Sequence, residues 1–323
     1  MEASIYNILN DMSEVLNIAQ MKKLQEVLLF RLETEGNSEA EPASNQEYLN
    51  MFIAAKRIEG CSVRTLQYYK STIENLLTEI DVPVRRMSTE LLREYLSNYQ
   101  SKNDCGKVTI DNVRRNLSSF FSWLEEENHI LKSPVRRIHK IRTKVTVKEV
   151  ISDEGLETLR DNCSEPRDLA IIDMLASTGM RVGELVNLDI EDINFDEREC
   201  VVFGKGDKER KVYFDAKAKI HLKNYLSLRS DSNPALFVSL NAPYERLQIS
   251  GVEIRVRELG RSLNLEKIHP HKFRRTMATR AIDKGMPIEQ VQKLLGHQQI
   301  DTTMKYAMVN QSNVKASHRK YIA

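Results

Sequence analysis

Cysteine is scarce in this sequence, long apolar runs are missing, and net charge is almost absent. The 323 residues hold four cysteines, Cys61, Cys105, Cys163 and Cys200, separated by 44, 58 and 37 positions. Those spacings fit no zinc or redox motif and leave free buried thiols as the reading. No stretch of about 18 apolar residues occurs, so no segment is suited to span a membrane. The first residues lack a basic start followed by an apolar block, which excludes a secretory signal and points to the cytoplasm. No internal repeat and no low-complexity tract interrupts the chain. The net charge of +2 excludes nothing by itself, because its distribution is uneven.

Residues 1–40 are acidic by four charges, residues 41–150 basic by four, and residues 151–323 basic by two. The stretch KSPVRRIHKIRTKVTVK, residues 132–148, holds seven basic residues and no acidic one. Such a stripe neutralises phosphates, or else is a solvated linker. With 41% hydrophobic and 29% charged residues the chain is an ordinary globular protein, long enough for two domains or one large one.

Periodicity predicts mainly α structure with a small antiparallel β-sheet, an α+β chain. Residues 4–32 read as one acidic amphipathic helix whose apolar phase slips near Met21, followed by a polar linker over residues 35–45. Residues 41–148 form a helical domain. Ser62 is an N-cap for a face of Leu66, Tyr69, Ile73 and Leu76, and a later helix buries Val113, Leu117, Phe120, Phe121 and Leu124. A bundle of four or five helices follows, with Lys70, Arg114 and Arg115 off the apolar faces. Residues 149–323 are mixed. DLAIIDMLASTG is a helix ended by Gly179. Strand-like runs at Cys200 to Phe203 and Lys211 to Phe214 flank the turn GKGDKER. Further helices span about 216–229 and 246–262, then HKFRRTMATRAIDKG carries a Phe273, Met277, Ala281 stripe, and Pro287 opens the next helix.

Six polar residues stand out on these elements. Arg181 starts a helix, Lys205 sits in the hairpin turn, and His271 and Arg274 share a helix face turned away from the apolar stripe. His297 precedes Tyr306 by nine residues in LLGHQQIDTTMKYAMV. The set contains no carboxylate pair and no metal cluster. Two guanidiniums can clamp a phosphodiester and stabilise the charge that grows at phosphorus. A tyrosine can attack phosphorus, and a lysine and a histidine can move the protons. Chemistry of this kind needs no cofactor, metal or ATP. A zinc site on His269, His271 and His297 lacks a fourth ligand. GKGDKER lacks the spacing of a phosphate loop. Tyr321 has no histidine nine residues ahead and reads as a packing residue.

STGMRVGEL, GKGDKERKV, HPHKFRRTMAT and LLGHQQIDTTMKY resemble, in order, the signature boxes of the tyrosine recombinase (phage integrase, Xer-like) family. The helical region resembles that family's core-binding domain, and the likeness covers about 280 residues. The resemblance implies a core-binding DNA-binding domain over 41–148 and a catalytic domain over 149–323, wrapped on duplex DNA. It implies that Arg181 and Arg274 activate the phosphate, Lys205 is the general acid, His271 the base or proton-holding histidine, His297 the phosphate's hydrogen-bond partner and Tyr306 the nucleophile. Glu184 is expected to orient Arg181. Arg275 stands where the family often has histidine, and it offers an extra DNA contact. Arg64, Lys70, Arg114, Arg115, Arg136, Arg137, Lys140 and Arg142 are expected on the DNA backbone. The implied partners are double-stranded recombination sites, with a homotetramer on two sites, a monomer or dimer off DNA, and the tail 307–323 contacting a neighbouring subunit. Residues 1–40 are too acidic for phosphate neutralisation and suit a subunit contact. A type IB topoisomerase and a DNA-binding protein without catalysis remain as rival readings.

Overall fold

The computed structural model describes residues 2–13, 15–36, 43–143, 149–204, 209–265, 267–304 and 306. The chain divides into two compact units, Met1–Lys144 and Val145–Ala323.

The N-terminal stretch forms two helices where the apolar period suggested one: α1 (Glu2–Ser13) and α2 (Ile18–Gly36). Asn17 restarts the helix. Its side chain accepts the Gln20 amide while the Gln20 side chain accepts the Asn17 amide, both at 3.0 Å. Two donors that a helix start leaves open are thereby satisfied, and the phase slip follows from this restart.

Four more helices build the first unit: α3 (Asn45–Ile58), α4 (Val63–Glu79), α5 (Thr89–Lys102) and α6 (Lys107–Glu126). Ser44, Ser62 and Ser88 cap α3, α4 and α5, each side chain accepting an amide of the first turn. The core is aromatic. Phe52 meets Phe120 edge-on at 5.3 Å and tilts on Trp123 at 5.7 Å. The expected α6 face is buried throughout, and on α4 Leu66, Ile73 and Leu76 are buried while Tyr69 is partly so. Thr72, Asp111, Asn116 and Ser133 are the buried polar residues among those described in this unit. Asp111 on α6 is buried and accepts Arg114 Nε at 2.9 Å and the Ile141 amide at 3.0 Å, which ties the exit segment to the bundle.

The second unit is built on α8 (Pro166–Thr178), which follows α7 (Asp153–Asp161). Ala170, Ile171, Ile172, Met174 and Leu175 are all buried, so α8 is enclosed on most sides. Its cover comes from α10 (Ala216–Ser227), α11 (Ile249–Ser262) and α12 (Pro270–Asp283). Between α9 (Val182–Asn187) and α10 lies an antiparallel sheet in the order β1 (Ile193–Asn194), β2 (Glu199–Phe203), β3 (Glu209–Tyr213). Cys200 pairs with Val212, and both point inward, as does Val202, while Phe203 and Tyr213 face solvent. Strand β1 has two residues and no readable period, so it was invisible in the sequence. The unit ends in α13 (Ile288–Leu295) and α14 (Ile300–Met304).

The four cysteines are free, but only Cys200 is buried, and the other three are half-exposed, which corrects the expectation of buried thiols. Burial pushes Cys200 up to about 12 and Cys163 up to about 11, so both stay protonated. No helix among the described residues is long and apolar enough to cross a membrane.

Candidate active site

Two helix ends create the centre of the site. Gly179 closes α8 and Gly296 closes α13, both left-handed, at φ of +61° and +65°. Any other residue would be strained at either position. A Cβ on Gly179 would lie 2.1 Å from Met277 Cε, and one on Gly296 would lie 2.9 Å from Arg210 Cδ. The last carbonyls of a helix are unpaired and carry partial negative charge. Arg274, from α12, inserts between them. Its Nη1 donates to Gly179 O at 2.7 Å and its Nη2 to Leu295 O at 2.5 Å.

Arg274 is 3% exposed. Helix phase had turned it away from the apolar stripe and left it free to face solvent. The structure instead buries it in a polar niche made by two other helices. Burial lowers its pKa to about 10, with Arg181 and Arg210 nearby adding to the effect, and it remains charged at neutral pH.

His297 follows the Gly296 turn. Its Nε2 lies 3.1 Å from Arg274 Nη2 and its Nδ1 lies 2.8 Å from the hydroxyl of Thr303, which is fully buried. A guanidinium only donates, so Nε2 accepts, and the proton of neutral His297 sits on Nδ1 facing Thr303. Burial first, and then Arg274, Arg181 and Arg210, lowers the His297 pKa to about 4. Gln292 Nε2 donates to the His297 carbonyl at 3.0 Å and fixes the turn.

Tyr306 is half-buried. Its ring stacks on His297 with centroids 5.9 Å apart and 29° between planes, and it packs on a cluster of Met277, Ala278, Val291 and Leu295. His271 sits in the first turn of α12 and its ring reaches solvent. Partial desolvation, followed by the Arg274 and Arg181 guanidiniums, holds its pKa below the ordinary histidine value, so it is a neutral acceptor.

Arg181 stands at the start of α9, where Glu184 holds it twice. Glu184 Oε2 accepts the Arg181 backbone amide at 2.7 Å, and Oε1 accepts Arg181 Nη1 at 2.8 Å. The same carboxylate takes a fork from Arg210 on β3, at 2.7 and 2.6 Å. Burial alone would raise the Glu184 carboxyl, but the bonds from Arg210 and Arg181 outweigh it and hold its pKa below the usual value. Arg210 Nε also donates to Leu294 O at 3.0 Å.

The structure thus gathers Arg181, Glu184, His271, Arg274, His297 and Tyr306 in one unit. Lys205 lies outside the described residues, in the connection from β2 to β3. Arg275, beside Arg274, is half-buried and its Nε is buried without a hydrogen-bond partner. Two residues that shape the site had no role assigned from the sequence. Arg210 was hidden in a run of charges, although its place in an alternating strand pointed it to one face. Thr303 carried no signal beyond its polarity. Among the described residues no group of three or more His, Cys, Asp or Glu could hold a metal.

The cations of the first unit are of two kinds. Arg64, Lys70, Arg115, Arg136, Arg137, Lys140 and Arg142 are exposed, three of them beside carboxylates: Lys70 at Glu74, Arg115 at Asp111 and Arg136 at Glu125. Arg114 departs from the expected outer position. Its side chain is 13% exposed, because the buried Asp111 carboxylate needs a counter-ion.

Comparison with known proteins places the chain in a family. Residues 149–313 match the phage integrase family, and residues 48–130 match the family's N-terminal SAM-like domain. The chain is 35% identical over 238 residues to tyrosine recombinase XerC of Leptospira interrogans, covering 71% of this chain and 76% of that one. It is 29% identical over 307 residues to tyrosine recombinase XerC of Staphylococcus aureus, covering 91% and 95%. In fold it is similar to the XerH site-specific recombinase bound to a palindromic difH substrate, with a TM-score of 0.67, 21% identity and coverage of 97% and 94%. It is also similar to the Tn1549 transposon integrase in complex with a circular intermediate DNA, with a TM-score of 0.71, 17% identity and coverage of 84% and 98%. The chain belongs to the phage integrase family of tyrosine recombinases.

Proposed function

We propose that the protein is a site-specific DNA recombinase that cleaves and rejoins strands through a covalent tyrosine–DNA bond. The observation that carries this reading is the cradle in which Arg274 is buried between two helix ends, with His297 against it and Tyr306 stacked on His297. A buried, permanently charged guanidinium has little reason to exist unless an anion completes its shell.

In the reaction, Arg181 and Arg274 hold the non-bridging oxygens of the scissile phosphate. Tyr306 Oη attacks phosphorus, forms a 3′-phosphotyrosyl bond and releases the 5′ oxygen. His271 takes the tyrosine proton, and Lys205 gives one to the leaving oxygen. His297 is a hydrogen-bond partner of the phosphate. The bond energy is kept, so a 5′ hydroxyl from a second duplex reverses the step. Two such exchanges pass through a Holliday junction. Integration, excision, inversion and resolution all use this cycle.

The exposed cations Arg64, Lys70, Arg115, Arg136, Arg137, Lys140 and Arg142 contact the DNA backbone, and Arg275 adds a contact beside the phosphate. The domains are 41–148 for core binding and 149–323 for catalysis. The assembly is a homotetramer on two sites in the cytoplasm; residues 307–323, which lie outside the described residues, are assigned to a subunit contact. The acidic N-terminal segment, with α1 and α2, also suits a subunit contact.

A trapping experiment tests the reading. Lightly nicked genomic DNA incubated with the protein should yield a covalent adduct at defined 3′ ends, and sequencing those ends gives the site. Tyr306→Phe should bind the same duplex and give no adduct. Equal adduct from both proteins would place the nucleophile elsewhere. Loss of residues 310–323 should lower tetramer formation on that duplex, and an unchanged assembly would remove the tail from the interface.

A further inference from the structure

Glu184 poses an electrostatic problem. It is buried and ionised, and it is one hydrogen bond away from the Arg181 guanidinium. A carboxylate in that position cancels the charge that Arg181 would bring to a phosphate. It also repels the phosphate directly, because fields reach further where water is excluded. Arg210 answers both effects. Its fork covers both carboxylate oxygens at 2.7 and 2.6 Å, and its side chain is 10% exposed, so solvent does little to screen the pair. All four hydrogen bonds to Glu184 come from Arg181 and Arg210, which is what a carboxylate needs to stay charged inside.

We propose that Arg210 is a positioning residue that neutralises Glu184, so that Glu184 can aim Arg181 without weakening it as a phosphate-binding cation. The inference rests on the recombinase reading above. Two guanidiniums and one carboxylate leave one positive charge for the substrate. Without Arg210 the remaining pair is neutral.

A second contact fits the same role. Arg210 Nε donates to Leu294 O, next to the residue whose carbonyl holds Arg274. The aliphatic stem passes so close to Gly296 that any Cβ there would meet it. One side chain therefore links strand β3, the Arg181 anchor and the turn that presents His297. Burial of a salt bridge is weak evidence for stability, since two apolar residues often do as well. The shared carboxylate gives Arg210 a different purpose, which is to set a local charge.

The test uses the full chain and a nicked duplex carrying the site mapped from the adducts. Arg210→Gln should form adduct about 10- to 100-fold more slowly than wild type, with duplex affinity reduced much less. Adding Glu184→Gln to Arg210→Gln removes the uncompensated carboxylate and should recover most of the lost rate. On a duplex with a neutral methylphosphonate at the scissile position, the deficit of Arg210→Gln should shrink, because no phosphate charge needs an answer. A double variant as slow as Arg210→Gln, with an equal deficit on methylphosphonate, would reduce Arg210 to a packing role and overturn the proposal. If Arg210→Gln does not fold, Arg210→Lys decides. It keeps the charge and loses the fork, so a rate near wild type despite a lower melting temperature supports neutralisation, and a rate no better than that of an uncharged Arg210→Met overturns it. A wild-type protein that binds DNA but yields no adduct in the genomic trapping experiment, so that no site can be mapped, is a separate outcome. It refutes the recombinase reading and this role with it.

Discussion

The two units use arginine in opposite ways. In the first, Arg136 is 68% exposed and lies 3.6 Å from Glu125, an arrangement that water and salt screen. In the second, Arg274 is 3% exposed and bonded to two helix ends. An exposed cation can move, exchange partners and follow a DNA backbone of any sequence. A buried one costs desolvation, and the fold meets that cost only where a fixed charge is needed. Arg114 shows that unit membership does not decide the matter. It belongs to the first unit, yet Asp111 makes it a structural ion.

The contrast is sharpest at Arg274. Arg274→Lys keeps the charge but offers one ammonium where the fork bonds two carbonyls and leaves further donors. Adduct formation should fall by about 10²- to 10³-fold, as for loss of a fixed transition-state donor, while DNA affinity changes little. A Lys variant within tenfold of wild type would mean that charge alone suffices, and the contrast between the units would weaken.

A smaller effect concerns pH. The folded pKa of His297, about 4, lies below the ordinary histidine value, so the unfolded chain binds the extra proton first on acidification. The stability tied to neutral His297 is therefore complete above the unfolded value near 6.5 and is lost as pH falls toward the folded value. A bound phosphate favours the imidazolium, so adding the duplex should raise the His297 pKa. A C2–H titration by NMR with and without DNA reads both values. Thr303→Val removes the Nδ1 partner. It should slow adduct formation and shift its pH profile, whereas Thr303→Ser should keep both near wild type. An identical titration with and without DNA would remove His297 from the phosphate.

The smallest effects belong to the first unit. Arg136→Gln should reduce the slope of log affinity against log salt by about 0.9, the release of one counter-ion, with the melting temperature unchanged. Arg114→Gln should do the reverse: it leaves the Asp111 carboxylate underpaired, lowers the melting temperature and leaves the slope alone. If both variants change the slope equally, Asp111 does not withdraw Arg114 from DNA.

Much of this was legible in the sequence, and the limits have physical causes. The faces of α4 and α6, the serine cap at Ser62 and the glycine stop at Gly179 were readable because each depends on neighbours within a turn or two. The residues of the site were readable as chemical types, and their order along the chain resembled a known family. The break between α1 and α2 was half-readable, since the phase slipped while the cap at Asn17 went unnoticed. Strand β1 was too short to carry a period.

What the sequence could not supply were the contacts made across long separations. From its own helix Arg274 lay off the apolar stripe and needed no place in the core, and only the meeting of α8 and α13 turned its position into an enclosed niche. Arg210 and Glu184 are 26 residues apart, and nothing local announces that the Glu184 carboxylate accepts from both Arg210 and Arg181. Local sequence fixes caps, turns and apolar faces, because the backbone must satisfy its own hydrogen bonds nearby. It does not fix which carbonyl ends converge on which guanidinium, because that depends on how whole helices pack. The sequence by itself determined the chemical types of the candidate groups and most of the elements around them. The tertiary structure alone decided which of those groups are buried, what they bond to, and how many of their charges are left for a substrate.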